Sequence, residues 1–400
     1  MELNTGDTAF MLIATALVMF MTPGLALFYG GLVRSKNVLA TIMQSFLCLG
    51  IVSIIWVVCG YSLAFGPDVG NVVGNLDFAF LNNVSWETGT GRTIPDMLFC
   101  AFQLMFAIIT PALITGAFAE RMKFSAYLLF VSAWVTLVYF PVCHWVWGGG
   151  WLADMGALDF AGGTVIHINS GAAALVCAIV IGKRRGFGRD AIHPNNLPMT
   201  VLGAAILWIG WFGFNAGSAL TAGPIAALAL MTTQLAAGVG ALGWVLAEWK
   251  IQGKPTTLGA ASGAVAGLVA ITPGCGFVTP VWAVVIGGIA GVLCYLGIML
   301  KAKIGYDDAL DVVAVHGIGG LWGALATGIF ASVGAKGLLY GNPHQLTVQA
   351  IGAGAAIVYS VIVTFVILKV IDAIVGLRVD SEGEQQGLDV VEHSEVGYSI

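Results

Sequence analysis

Charge is absent from long stretches of this chain. Between Phe160 and Gly182 there is no Lys, Arg, Asp or Glu, and apolar runs of comparable length recur along most of the 400 residues. At about 1.5 Å per residue, roughly 20 residues of helix cross about 30 Å of hydrocarbon. A helix also satisfies its own backbone where no water can, so repeated runs of this length leave few alternatives to a helical membrane bundle. The chain is 58% hydrophobic and 9% charged, against about 25% charged for a soluble domain. The net charge of -5 comes mostly from the tail and suggests no nucleic-acid partner.

The expected fold is therefore an all-α polytopic membrane protein embedded in a lipid bilayer, the cell (plasma or inner) membrane. Eleven transmembrane helices are predicted, at about 8–32, 39–65, 96–118, 124–146, 162–182, 197–217, 225–247, 257–273, 279–300, 309–331 and 346–375. With the N-terminus outside and the C-terminus inside, 14 of the 16 cations fall on inner loops or the tail, only Arg92 and Lys336 being outside. That is the segregation the positive-inside rule requires. The run Lys183-Arg184-Arg185-Gly-Phe-Gly-Arg189 resembles a phosphate cradle, but the same rule accounts for it.

Helices one to five and six to ten then run in opposite senses, a pseudo-two-fold inverted repeat of the kind that places substrate paths between halves. The expected organisation is a first half at 1–182, an inner loop at 183–196, a second half at 197–331, an eleventh helix at 345–376 and a cytoplasmic tail at 377–400. Gly259, Gly263 and Gly267 repeat at four-residue spacing, which favours close helix approach. Pro23, Pro111 and Pro141 are read as kinks within spans. The seven cysteines show no Cys-x-x-Cys and read as small core residues; neither a metal site nor a cofactor is expected. The N-terminus lacks a basic region, so the first apolar run is expected to stay in the mature protein. The acidic tail after Arg378 reads as disordered.

Two imidazoles stand out inside this apolar frame, His167 in the fifth span and His316 in the tenth. Ionisable groups in membrane helices are costly and usually face the protein interior. Occupying equivalent places in the two halves, the two could pair nitrogen to nitrogen along a narrow path. The rival use is ligation of a haem iron. Aromatic residues gather at the outer ends, and Trp147 leads into Gly148-Gly149-Gly150 while Phe214 leads towards Ser218. An interfacial belt explains many such residues. Rings beside tight backbone and a hydroxyl could also bind a small cation. Asp159, before Gly162-Gly163, reads as a helix-capping carboxylate that also makes the outer vestibule negative.

Several motifs taken together resemble one family. These are Thr22-Pro-Gly-Leu-Ala-Leu-Phe-Tyr-Gly-Gly31, Ala101-Phe-Gln-Leu-Met-Phe-Ala107, Val146-Trp-Gly-Gly-Gly150, Gly156-Ala-Leu-Asp-Phe-Ala-Gly-Gly163, Val165-Ile-His-Ile-Asn169, Gly210-Trp-Phe-Gly-Phe-Asn-Ala-Gly-Ser218 and Val315-His-Gly317. They resemble the Amt/Mep/Rh ammonium transporters, in the microbial Amt branch, from about Thr8 to Asp389. The resemblance implies a transporter and not an enzyme, a homotrimer with one pore per subunit, and ammonium or ammonia as cargo with methylammonium as analogue. It assigns recruitment to Phe106, Trp147 and Ser218, a phenyl gate to Phe106 and Phe214, and the pore with its proton relay to His167 and His316. Asp159, Phe102, Gln103 and Trp211 would support the route. Gly387-Leu388-Asp389 resembles the tail motif near which PII-type signal proteins block the pore. The expected mechanism strips a proton from ammonium before ammonia crosses, with separate, net electrogenic proton transfer. A sensor of the same fold and a histidine-ligated haem oxidoreductase are the alternatives.

Overall fold

The computed structural model describes residues 2–89 and 91–398. Among the described residues, ten helices are long and apolar enough to cross a membrane: α1 Thr5–Leu32, α2 Ser35–Phe65, α3 Asp96–Phe118, α4 Phe124–Asp154, α5 Gly163–Ile181, α6 Leu197–Gly217, α7 Pro224–Gln252, α9 Pro280–Ile304, α10 Val313–Phe330 and α11 Pro343–Val375. Between α7 and α9 lies a shorter apolar helix, α8, Thr257–Ile271. The order and number agree with the sequence, and the chain is a multi-pass membrane protein. Pro23 and Pro111 sit inside uninterrupted helices, whereas Pro141 follows a π-helical turn at Val135–Tyr139.

The two halves interlock. The first helix of each half, α1 and α6, packs along the other, and α5 and α10 pack reciprocally against each other's first turns. Helix α11 crosses α4, α5 and α10. Such packing depends on absent side chains. A Cβ on Gly267 in α8 would lie 2.1 Å from the Ala236 carbonyl of α7, and one on Gly171 in α5 would lie 2.4 Å from Gly317 Cα.

The ends of the bundle differ in character. At one end Asn4 donates its N–H to Thr93 O at 2.8 Å, and Asp7 accepts from Thr93 Oγ1 and Ala222 N, joining the N-terminus to the α2–α3 and α6–α7 loops. Arg92 lies here, paired with Asp96 at 3.2 Å. At the other end Glu120, 1% exposed, accepts from Arg34 at 2.9 Å and Arg184 at 3.3 Å, while Arg184 pairs with Asp307 at 2.8 Å. Burial alone would push the Glu120 carboxyl up, but the Arg34 and Arg184 guanidiniums hold it below the usual range. Arg121 is fully buried and donates to the carbonyls of Ala117, Ala119, Gly182 and Asp307. Four loops are thereby fastened by charge at the end where the cations were expected.

The tail is ordered, contrary to the expectation of disorder. Helices α12, Ser381–Gln386, and α13, Leu388–His393, lie on this charged end. Asp389 accepts from the N–H groups of Leu39 at 3.1 Å and Ala40 at 2.8 Å, and Glu392 from that of Phe124 at 2.8 Å. Lys36 Nζ donates to the carbonyls of Glu384 and Gln385, both at 2.6 Å. Composition suggested solvated acid; the tail's carboxylates instead satisfy the first-turn donors of α2 and α4.

Two measurements check this packing and charge. Gly267→Val should lower Tm in detergent by a few degrees, because overpacking a tight seam costs about 1–3 kcal/mol. Gly354→Val on α11, where among the described residues nothing beyond the helix's own neighbouring backbone lies within 4 Å of the added carbon, should leave it unchanged. Asp308 is fully buried, its Oδ2 accepts from Val313 N at 2.7 Å, and burial pushes its carboxyl up to about 6, with Lys301 opposing and Asp311 adding to the rise. A raised acid favours the fold below its ordinary value near 3.8 and loses that contribution as pH climbs through about 6. Asp308→Asn should therefore raise Tm relative to the parent at pH 8, by the equivalent of up to roughly 3 kcal/mol, and the gap should close as pH falls to 4.

Candidate functional site

Each histidine sits in a π-helical turn that opens its helix, Gly163–Ile168 for α5 and Val313–Ile318 for α10. Such turns occur frequently at functional sites, and they widen the helix where a side chain must be aimed inward. The Gly171–Gly317 contact brings the two helices together, and His167 Nδ1 lies 3.1 Å from His316 Nδ1. The rings are nearly parallel, at 19° with centroids 5.2 Å apart. Each is buried, and one must donate where the other accepts. His167 Nε2 has no hydrogen-bond partner among the described residues. Its ring lies over Trp211 at 5.5 Å and 19°, and the Trp211 indole N–H is held by Thr272 Oγ1 at 2.9 Å.

The pair borders a narrow cavity of about 50 Å³, shared with Trp211, Phe214 and a wall of aliphatic side chains that extends to Asp311. A wider cavity of about 320 Å³ opens on the other side, bordered by Gln103, Phe106, Trp147, Phe160 and Ser218. Phe106 and Phe214 divide the two. Their centroids are 4.4 Å apart, tilted by 42°, and each ring is 1% exposed. Phe106 also meets Trp147 edge to face at 6.0 Å, while Phe102 backs it at 4.8 Å without reaching either cavity.

Ser218 and Gln103 bring oxygens to the wider cavity, whose mouth also holds the Arg92 guanidinium. Ser218 Oγ donates to the Phe214 carbonyl at 2.7 Å, which leaves its lone pairs free. Gln103 Oε1 is buried and without a partner among the described residues. Trp147 Nε1 donates to the main-chain carbonyl of Asp159 at 2.8 Å. The Asp159 carboxylate itself faces elsewhere. It accepts from Gly162, Gly163, Thr164 and Val165 N–H groups at 2.6–3.1 Å and is 7% exposed, so it closes the first turn of α5 instead of presenting charge to the vestibule.

The residues assigned in sequence to the route fall on this one axis or directly behind it, while Gly387-Leu388-Asp389 lies at the inner end. Three neighbours were missed. Arg92 and Phe99 line the mouth, the guanidinium 3.7 Å above the Phe99 ring. Asp308 stands to His316 as Asp159 stands to His167, eight residues before it and accepting from the first turn of its helix. That equal spacing was a readable signal.

Two imidazole nitrogens on opposite sides of one iron lie about 4 Å apart, from bonds of about 2 Å each. The observed 3.1 Å contact and a cavity of about 50 Å³ do not fit a haem between them.

Comparison with known proteins gives the family. Residues 9–398 match the Ammonium Transporter Family. The chain is 53% identical over 403 residues to an ammonium transporter of Bacillus subtilis, covering 99% of both. Among solved structures it is similar to Saccharomyces cerevisiae Mep2, with a TM-score of 0.89 and 36% identity over 95% of this chain and 89% of that one. It is similar also to a protein titled Sensor Amt Protein, with a TM-score of 0.91 and 30% identity over 97% and 98%. A membrane bundle with paired imidazoles below two touching phenyl rings, matched along nearly its whole length, thus belongs to the ammonium transporter family and transports ammonium.

Proposed function

We propose that ammonium is recruited in the wider cavity, gives up its proton beside the phenyl pair, and crosses as ammonia past His167 and His316. The observation that carries this is the division of the axis into a roomy aromatic chamber and a narrow apolar one at Phe106 and Phe214. Trp147 and Phe106 offer ring faces to a cation, and Ser218 offers lone pairs. Gln103 Oε1 is a second acceptor within the same chamber.

Selectivity follows from proton loss. Potassium and ammonium are similar in size, and rings alone separate them poorly. An ion taken into an apolar passage loses hydration worth many kcal/mol, whereas ammonia enters neutral. The released proton travels separately by the paired imidazoles, whose nitrogens form a short donor and acceptor chain, so that net charge moves. A sensing role beside transport is supported by the likeness to Sensor Amt Protein. The family likeness supports assembly as a trimer with one pore in each subunit, and the inverted repeat supports two five-helix halves at 1–182 and 197–331 joined by the inner loop 183–196, with the eleventh helix (345–376) and the tail (377–400) outside the repeat.

The tail is the proposed docking element for a PII-type signal protein. Gly387 adopts φ +109°, and a Cβ there would lie 2.5 Å from the Lys36 carbonyl, so Gly387-Leu388-Asp389 lies tightly on the entry to α2.

In proteoliposomes, the His167→Ala, His316→Ala double variant should lose ammonium-evoked current or its ammonium-over-potassium selectivity. A variant matching the parent in both would remove the pair from the mechanism. Removing residues 379–400 should abolish block of methylammonium uptake by a PII-type protein; block of equal depth and affinity without the tail would refute its docking role.

A further inference from the structure

His144 is a buried imidazole that the proposed pathway leaves unused. It lies on α4 one turn before Trp147 and is 0% exposed. Its Nδ1 is 3.0 Å from the Ala64 carbonyl at the end of α2, and its Nε2 is 2.9 Å from Asp68 Oδ1. A carbonyl only accepts, so Nδ1 bears a proton. Asp68 Oδ2 accepts from Asn71 N–H at 3.0 Å, and the hydrogen bond from His144, followed by that from Asn71, holds the Asp68 carboxyl below the usual range. Nε2 and Asp68 Oδ1 share the second hydrogen bond. The buried ring thus bridges the end of α2 and the partly exposed carboxyl of Asp68.

Three parts of the outer end converge on this ring. Asp68–Val69 pairs antiparallel with Val73–Gly74 in a small hairpin, which also meets α4 through Trp145 Nε1 to Val72 O at 2.9 Å and Trp151 N to Asn71 O at 3.1 Å. The His144 carbonyl accepts from both Gly148 and Gly150 at 3.0 Å, closing the glycine turn that follows Trp147. A Cβ on Gly148 would lie 2.1 Å from the Ala64 carbonyl and 2.5 Å from His144 Nδ1, so the turn tolerates no side chain there. Trp147 projects from the same turn towards Phe106 and the wider cavity.

We propose that the Asp68–His144 hydrogen bond is a clamp that holds the outer hairpin against the Trp147 turn and thereby positions the indole for recruiting ammonium. Neither residue lines the cavity; both act as positioning residues. The inference rests on Trp147 being part of the recruiting site.

Asp68 is the residue to vary, because its partial exposure spares the fold. Asp68→Ala should speed hydrogen exchange across residues 67–75 and raise the KM for methylammonium about fivefold, the equivalent of one ordinary hydrogen bond, with the maximal rate unchanged. Asp68→Asn, which keeps an acceptor without the charge, should fall between Ala and the parent. Unchanged exchange in Asp68→Ala overturns the clamp. Faster exchange with an unchanged KM overturns the positioning role, and Trp147→Leu measured in parallel separates the causes. A raised KM in Trp147→Leu leaves recruitment intact and sinks only the clamp; an unchanged KM there places the failure in the recruitment reading itself.

Discussion

Inside the membrane the structure depends on one close contact, Gly171 against Gly317. With nothing beyond a hydrogen on either residue, α5 and α10 approach until their imidazoles meet at 3.1 Å. A buried nitrogen without a partner carries a desolvation penalty of about 1–3 kcal/mol. Pairing removes that penalty at both Nδ1 atoms together without importing charge. The inverted repeat makes the pairing possible, because helices at equivalent places in opposite halves meet near the middle of the bundle.

Once the rings are placed, the start of the helix that carries His167 has to be satisfied. A helix start exposes several N–H donors and a partial positive charge. Asp159 covers four of those donors on α5, and its carbonyl at the same time holds Trp147. One residue thus neutralises the start of the helix behind the chamber and orients a ring in front of it. Arg92 stands at the mouth, but its charge is taken up by Asp96 and the Phe99 face.

The fold was legible because a bilayer simplifies the code. Length without charge gave the spans, and cation placement gave their sense. The histidines were legible for the same reason, as exceptions in an apolar run. Less visible were features set by geometry between distant segments. The π-helical turns under His167 and His316 leave no mark in composition. The order of the tail could not be read from its acids, since Asp389 and Glu392 differ from solvated carboxylates only by meeting the N–H groups of Leu39, Ala40 and Phe124. Asp159 was legible as a cap, but its carboxylate was also expected to charge the vestibule, and only the four donors around it show where that charge goes. His144 was not legible because a lone histidine beside tryptophans resembles interfacial packing until both of its partners are seen.

The inner end completes the argument about where charge is permitted. Glu120, Arg184, Asp307 and Arg121 are buried, and breaking such a group's pairing is far more costly than its net contribution suggests. The tail joins the same assembly: Arg378 donates to the carbonyls of Ile181 and Lys183 at the end of α5, and pairs with Glu384 of α12. Lifting the tail would uncap α2 and α4 and free the last carbonyls of the helix that carries His167. A contact made wholly outside the membrane is therefore joined, along α5, to the helix that holds the imidazole at its centre.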